Sequence, residues 1–141
     1  MATTVQEALV VSQPVAAAAN TVYEFARHME NLPQWASGLA TGIEQCDGQW
    51  FTDSPMGRVR VDMAPPNPFG VLDHDVTLPD GTTVHNAFRV TPSGEQACLL
   101  TFVVLRFEGV GQADFDADVA HVRKDLAALQ QLVEAAQPSS S

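Results

Sequence analysis

The chain has 141 residues and is 45% hydrophobic, which suits one globular domain with a single core. Its 7 basic residues against 17 acidic ones give a formal net charge of −10, and Lys124 is the only lysine. Because binding to a phosphate backbone needs clustered lysine and arginine side chains, we expect neither nucleic acids nor anionic membrane surfaces as partners.

The chain carries no sign of export. Its first residues lack a basic segment, and no apolar run is long enough to span a bilayer, so we expect a cytoplasmic protein. Cys46 and Cys98 lie far apart in sequence, which favours two reduced thiols. We expect a disordered N-terminus over 1–6, a single domain over 7–136 and a disordered tail over 137–141.

Predicted elements follow one another in a simple order. Residues 7–15 read as a first strand, and apolar residues at helical spacing from about Ala18 predict a helix that Pro33 ends, with a short helical turn around it. A block of strands follows, and the chain closes with a long amphipathic helix over roughly 112–136. The predicted strands are 39–46, 49–53, 57–63, 71–78, 82–91 and 96–107.

The turn at Pro79-Asp80-Gly81 predicts the register of one hairpin. Proline suits the first position of a type I turn, and glycine suits a position with positive φ, so we read these residues as a three-residue loop. Since side chains alternate along a strand, this loop collects apolar residues on one face of the hairpin. The predicted pairs on that face are Leu78–Thr82, Val76–Val84, His74–Asn86 and Leu72–Phe88.

A similar reading of the Pro92-Ser93-Gly94 turn extends this face onto the last strand, and adds Cys98, Leu100, Phe102, Val104 and Arg106. In the closing helix, a continuous apolar stripe contains Phe115, Val119, Val122, Leu126, Leu129 and Val133. Strands in one block with helices at the two ends predict an α+β fold. We expect a curved antiparallel sheet of about six to seven strands around the terminal helix, with two short helices between strands 1 and 2.

Three segments together resemble the START-like superfamily, which includes polyketide cyclase-like (SRPBCC) proteins and has the helix-grip fold. They are the run from Asn20 to Trp35 with its Asn31-Leu32-Pro33-Gln34-Trp35 motif, the proline-broken strand series, and the closing helix around 118–126. The resemblance covers about residues 7 to 135. It implies a deep, largely apolar cavity between the long helix and the sheet, and it supplies no catalytic signature to match residue by residue.

His74 and Asn86 are the sharpest candidate site residues, because the predicted register places them opposite each other on an otherwise apolar face. They could orient a ligand carbonyl or hydroxyl, or His74 could act as an acid or base beside Asn86. Alternatively, they bond to each other and fill the core. The other candidate ligand-binding residues are Val59, Val61, Phe69, Leu72, Val76, Phe88, Leu100, Phe102, Arg106 and Val122.

Two of these candidates, Arg106 and Phe69, could do more than line the cavity wall. Arg106 ends the inward row of the last strand, where it predicts a charge at the cavity mouth. Phe69 lies in the loop 64–70, which contains three prolines, and that loop is either a lid or simply packed. Arg58 and Arg60 alternate with valines and point to solvent unless a bulge turns one of them inward.

We expect no metal site and no cofactor. Alternation turns His74 away from Asp73 and Asp75, and Asp75 with His85 reads as an exposed cross-strand pair. Motifs of nucleotide and dinucleotide binding are missing, as is the serine-hydrolase elbow, so the sequence does not require an enzyme.

Three hypotheses remain open. The first is binding of a small hydrophobic or aromatic molecule, including a lipid, in the cavity. The second is a cyclase- or dehydratase-like enzyme that uses His74. The third is a protein-interaction or homodimerisation module that uses the outer sheet face of Leu99, Val103 and Leu105.

Overall fold

The computed structural model describes residues 4–37, 42–54 and 57–136. The described chain begins with strand β1 (Val5–Val15), two residues before the predicted start, followed by helix α1 (Ala19–Ala26). A 3₁₀ turn (Met29–Asn31) leads into the single turn of α2 (Leu32–Trp35), where Pro33 lies at the start of the helix and suits the position because it has no N–H to satisfy. The predicted tail and three residues of the predicted N-terminal segment lie outside the described residues.

Seven further strands precede the last helix, α3 (Gln112–Ala136), and all strand pairs are antiparallel. One sheet has the order β1-β8-β7 and the other the order β2-β3-β4-β5-β6. The predicted strand 39–46 lies partly outside the described residues. The strands are β2 (Glu44–Cys46), β3 (Gln49–Ser54), β4 (Gly57–Met63), β5 (His74–Thr77), β6 (Thr83–Asn86), β7 (Phe88–Pro92) and β8 (Cys98–Phe107).

The hairpin register predicted from the turn at 79–81 is confirmed. His74 pairs with Asn86 and Val76 with Val84, while the N–H of Leu72 donates to the carbonyl of Phe88 at 2.8 Å. The second register is confirmed as well, since Val90 pairs with Leu100 and Pro92 with Cys98. Both hairpins therefore bury predicted inner-face residues such as Phe88, Cys98 and Leu100, whereas Thr82 beside the first turn is exposed.

The predicted strand 82–91 is wrong in one respect, because it is divided into β6 and β7 at Ala87. Here the carboxylate of Asp73 accepts a hydrogen bond from the N–H of Phe88 at 2.9 Å, and the carbonyl of Ala87 accepts one from Val103. The Asp73 carboxylate thus replaces one backbone hydrogen-bond acceptor of the strand ladder. At this point the chain passes from the five-stranded sheet to the three-stranded one. With this division the described residues form eight strands, where six to seven were expected.

Helix α3 lies across the inner face of the sheets, as predicted. Five residues of its apolar stripe are buried, and the sixth, Val122, is only half-buried. Val59 and Val61 of β4 are also buried, whereas Arg58 pairs with Glu44 and Arg60 with Asp62 on the outside. The arginines therefore point to solvent without a bulge.

The chain has the α+β helix-grip architecture that was predicted, with a curved pair of antiparallel sheets around a long terminal helix. None of the helices in the described ranges combines the length and the apolar character needed to cross a bilayer.

Candidate functional site

A cavity of about 220 Å³ lies beside the half-buried Val122 of α3. It is enclosed by α3, α2 and the inner faces of β4, β5, β7 and β8. Most of its wall is apolar, and the charged or titratable side chains that line it are His74, His121 and Asp125. No lysine or arginine is among the described residues that line it. The apolar wall consists of Leu32, Trp35, Ala36, Val59, Val61, Met63, Val76, Phe88, Phe102, Val122 and Leu126.

His74 enters this cavity from β5 in a defined protonation state. Its Nδ1 lies 3.0 Å from the carbonyl oxygen of Leu72. Because a carbonyl only accepts, Nδ1 must carry the proton in that contact. Burial lowers the pKa of His74 below its ordinary value of 6.5, and the hydrogen bond to Leu72 opposes this only in part. The ring is therefore neutral near pH 7, and Nε2 is left as an acceptor.

A row of aromatic rings forms one wall of the cavity. The ring centroids of Trp35 and Phe88 lie 5.8 Å apart, those of Phe88 and Phe102 5.6 Å, and those of Phe102 and His74 5.9 Å, all with tilted planes. Such contacts hold each ring in a fixed orientation. The Nε1 atom of Trp35 is buried and has no hydrogen-bond partner among the described residues. The cavity wall therefore contains one N–H donor, that of Trp35, without an acceptor among the described residues.

Seven of the predicted site residues meet at this cavity, namely Val59, Val61, His74, Val76, Phe88, Phe102 and Val122. Asn86 pairs with His74 across β5 and β6 but does not line the cavity, and the ring of His74 bonds to Leu72. The alternative in which the two side chains bond to each other is therefore not what the structure contains.

Four other predicted residues lie elsewhere. Leu72 and Leu100 are fully buried in the core behind the cavity wall. Phe69 is 77% exposed and borders a different, shallower depression beside Tyr23. Its loop is held by Asn67, whose backbone N–H donates to the Tyr23 hydroxyl at 2.9 Å. A loop fixed in this way over α1 does not cover the cavity under α3.

Arg106 is also remote from the cavity, although it lies on the inward row. Its Nε donates to the carbonyl of Val110 at 2.9 Å, and its Nη1 lies 2.8 Å from Oε1 of Gln112 and 3.3 Å from Oε1 of Glu7. These bonds tie the end of β8 to the start of α3. The guanidinium thus joins elements of the fold and does not reach the cavity mouth where the sequence placed it.

A polar cluster of Ser37, His121 and Asp125 lies where α2 meets α3, and sequence reasoning missed it. We call it the mouth cluster, since half of the His121 side chain is exposed although it lines the cavity. Ser37 donates to Oδ1 of Asp125 through both its hydroxyl, at 2.7 Å, and its backbone N–H, at 3.1 Å. His121 and Asp125 stand four residues apart beside Val122 and Leu126 of the apolar stripe, a spacing that the sequence already contained.

The mouth cluster has the residue types of a serine-hydrolase triad but a different geometry. His121 Nε2 lies 3.1 Å from the Ser37 hydroxyl and 3.5 Å from Oδ2 of Asp125, so both partners contact the same ring nitrogen. In a triad the acid orients the opposite nitrogen and the serine gives its proton to the histidine. Here the hydroxyl proton goes to Asp125, so His121 donates to Ser37 and does not activate it.

The second histidine of the predicted hairpin lies on the outer face. His85 Nδ1 lies 2.6 Å from Oδ1 of Asp75, as the predicted cross-strand pair requires, and Asp73 in turn pairs with Arg89. Within the described ranges, no group of three histidine, cysteine or carboxylate side chains is arranged to hold a metal ion. Cys98 is buried, and burial raises the pKa of its thiol, which disfavours the reactive thiolate.

No family model matches this chain, and neither does any curated protein. Solved structures do. A START superfamily protein from Mycobacterium smegmatis matches with a TM-score of 0.67 and 20% identity, over 92% of this chain and 99% of that one. The resemblance stated from the sequence motifs is thereby confirmed at the level of the fold.

Two further matches are with a synthase and with a protein from a biosynthetic locus. Norcoclaurine synthase from Thalictrum flavum, in complex with dopamine and hydroxybenzaldehyde, has a TM-score of 0.66 and 14% identity over 97% of this chain and 91% of that one. DynU16, a protein in the dynemicin biosynthetic locus, has a TM-score of 0.69 and 16% identity over 96% of this chain and 50% of that one. Identities this low establish a shared fold and nothing further about activity.

Proposed function

We propose that this chain, which has the helix-grip fold of the START-like superfamily, binds a small apolar or aromatic molecule in the cavity under α3. The observation that carries the proposal is an apolar cavity whose wall contains the three aromatic rings of Trp35, Phe88 and Phe102, with His74 of the sheet at the end of that row. Ligand pockets commonly combine such an apolar lining with a few polar anchors.

The size of the cavity limits the ligand. Its volume of about 220 Å³ is below the roughly 300–1,000 Å³ of pockets that hold drug-sized molecules. A single aromatic ring or a short branched chain is therefore the fitting class, and a long fatty chain is not. The norcoclaurine synthase structure with dopamine and hydroxybenzaldehyde supports the proposal, because both are single-ring compounds held by a protein of this fold.

The test is a binding assay with toluene and short-chain alcohols, read by thermal shift and by tryptophan fluorescence. The chain has two tryptophans, and Trp50→Phe leaves Trp35 in the cavity wall as the only reporter. Val122→Phe should fill the cavity and abolish the response, while Val5→Phe, at an exposed site of β1, should not. Equal responses from the two variants would place the ligand elsewhere and overturn the proposal.

A second candidate function is acid–base catalysis in the same cavity, in which His74 moves a proton. The observation that favours it is the neutral ring of His74, because a neutral imidazole can accept a proton from a bound substrate. The test is turnover of an enolisable aromatic ketone. A pH profile of the rate with one histidine-like ionisation, and loss of turnover in His74→Phe, would support this function. Turnover that survives in His74→Phe would remove His74 from the chemistry.

A third use of the chain is self-association through its outer sheet face. Strand β1 is an edge strand, and Val10, which is 58% exposed, pairs with Val103 beside Leu99 and Leu105. Sedimentation velocity over a range of concentrations tests it. A dimer that Val10→Lys dissociates supports this use of the face, and a monomer at every concentration rules it out.

A further inference from the structure

The polar atoms of the cavity distinguish among the ligands that would fit its volume. In the cavity wall, His74 uses Nδ1 to bond Leu72, so Nε2 is the ring atom left for a ligand. Nε2 has no hydrogen-bond partner among the described residues, and a neutral imidazole nitrogen in this state only accepts. A ligand that places an O–H or N–H there would gain a hydrogen bond, whereas one that places an acceptor there would not.

The charges around the cavity also disfavour an anionic ligand. The carboxylate in its lining is that of Asp125, whose side chain is 14% exposed and whose Oδ2 lies 3.5 Å from Nε2 of His121. No described lining residue carries the lysine or arginine that would pair with an anion. A carboxylate ligand would therefore lose its hydration without a cationic partner and would lie near a second negative charge.

We infer that the ligand is an uncharged single-ring molecule with a hydroxyl donor, a phenol or an aromatic alcohol, whose O–H binds Nε2 of His74. This inference rests on the proposed function and names the ligand class for the same cavity. The same set of residues disfavours aromatic and aliphatic acids. Asp125 of the mouth cluster then disfavours anionic ligands by charge repulsion, without contacting the hydroxyl of the ligand.

Three probes of similar shape separate these effects: p-cresol, 4-fluorotoluene and 4-methylbenzoate. Fluorine replaces the hydroxyl without a donor, and the carboxylate adds a charge. By titration calorimetry at neutral pH we expect p-cresol to bind roughly three- to tenfold more tightly than 4-fluorotoluene. We expect 4-methylbenzoate to bind at least about tenfold more weakly than p-cresol.

Two variants assign each preference to its residue. In His74→Phe the ratio of p-cresol to 4-fluorotoluene affinity should fall to about one, and continued binding of 4-fluorotoluene would show that the cavity is intact. Asp125→Asn keeps an oxygen to accept from Ser37 and should strengthen 4-methylbenzoate binding several-fold. Its matched control is Asp118→Asn, which removes an exposed charge of α3 outside the cavity lining and should change it less.

The outcomes separate this inference from the function on which it rests. If 4-fluorotoluene or 4-methylbenzoate binds the unmodified chain as tightly as p-cresol, the cavity binds ligands but the ligand class is wrong. The same holds if His74→Phe leaves the preference for p-cresol unchanged. If none of the three probes binds, the proposed binding function falls and this inference falls with it.

Discussion

The hydroxyl of Ser37 donates a 2.7 Å hydrogen bond to Oδ1 of Asp125, 88 positions further along the chain. The backbone N–H of the same serine donates to the same oxygen at 3.1 Å. These two bonds join Ser37, the second residue after α2, to the middle of α3, and both helices line the cavity. The contact therefore holds the two helices together at the cavity mouth.

We expect Ser37→Ala to lower the free energy of unfolding by about 1 kcal/mol, because it removes a partly buried hydrogen bond to a carboxylate and leaves the backbone bond in place. Urea unfolding followed by circular dichroism measures the change. Ser12→Ala is the matched control, since Ser12 is exposed on β1 and should contribute little. An equal loss in the two variants would show that the contact adds nothing to stability.

His74 should be a neutral ring with its proton on Nδ1 at pH 7. Imidazole ¹⁵N chemical shifts distinguish this tautomer from the other one and from the charged ring. Because burial lowers the pKa of His74 in the folded state, the unfolded chain binds the proton first as the pH falls below 6.5. Stability should therefore fall with pH below about 6.5, and the difference between the unmodified chain and His74→Phe isolates that part. A proton found on Nε2 at pH 7 would contradict the assignment.

His85 should show the opposite behaviour, because its hydrogen bond to Asp75 raises the pKa of its ring above 6.5. A raised pKa means that the folded chain holds the proton more tightly, so this contribution is complete below 6.5 and is lost as the pH rises through the shifted value. In an NMR titration, Asp75→Asn should move the His85 midpoint down. An unmoved midpoint would show that the exposed pair is too weakly coupled to matter.

Gly70 should tolerate no side chain. A Cβ atom there would lie 2.3 Å from the carbonyl oxygen of Val90, whose N–H in turn donates to the Gly70 carbonyl at 2.9 Å. Gly94 is the matched control, since its φ of +81° resembles the +72° of Gly70 but a Cβ would meet nothing within 4 Å. Gly94→Ala should cost about 1–2 kcal/mol for its backbone conformation alone. Gly70→Ala should cost clearly more, and chemical denaturation that gives equal losses would refute the close contact.

Local signals carried most of the fold prediction. The turn at 79–81 predicted the β5–β6 register correctly because a three-residue loop of proline, aspartate and glycine determines how its strands align. The division at Ala87 was missed because it depends on Asp73 of a neighbouring segment, whose carboxylate replaces a backbone acceptor. Alternation along one strand contains no information about such a bond.

Only part of the cavity lining was predicted, again because alternation along a strand does not describe how separate elements pack. Residues that alternate along β4, β5 and β8 were assigned to the interior correctly, yet Leu72 and Leu100 lie behind the wall, since burial alone does not distinguish core from cavity lining. The mouth cluster depends on the packing of α2 on α3, which no local pattern specifies. Its trace in the sequence was the pair His121 and Asp125 on the flank of the apolar stripe.

Helix α3 supplies a self-contained part of the cavity, with His121, Val122, Asp125 and Leu126 all on one continuous stretch of little more than a turn. The row of rings in the wall comes instead from four separate elements, α2, β5, β7 and β8. For the proposed ligand-binding function, selectivity could therefore be redesigned, or diverge during evolution, through a few neighbouring codons of one helix while the strand pairing stays untouched. A library randomised at His121 and Val122 would vary the cavity while the buried Leu126 and the contact between Ser37 and Asp125 stay in place.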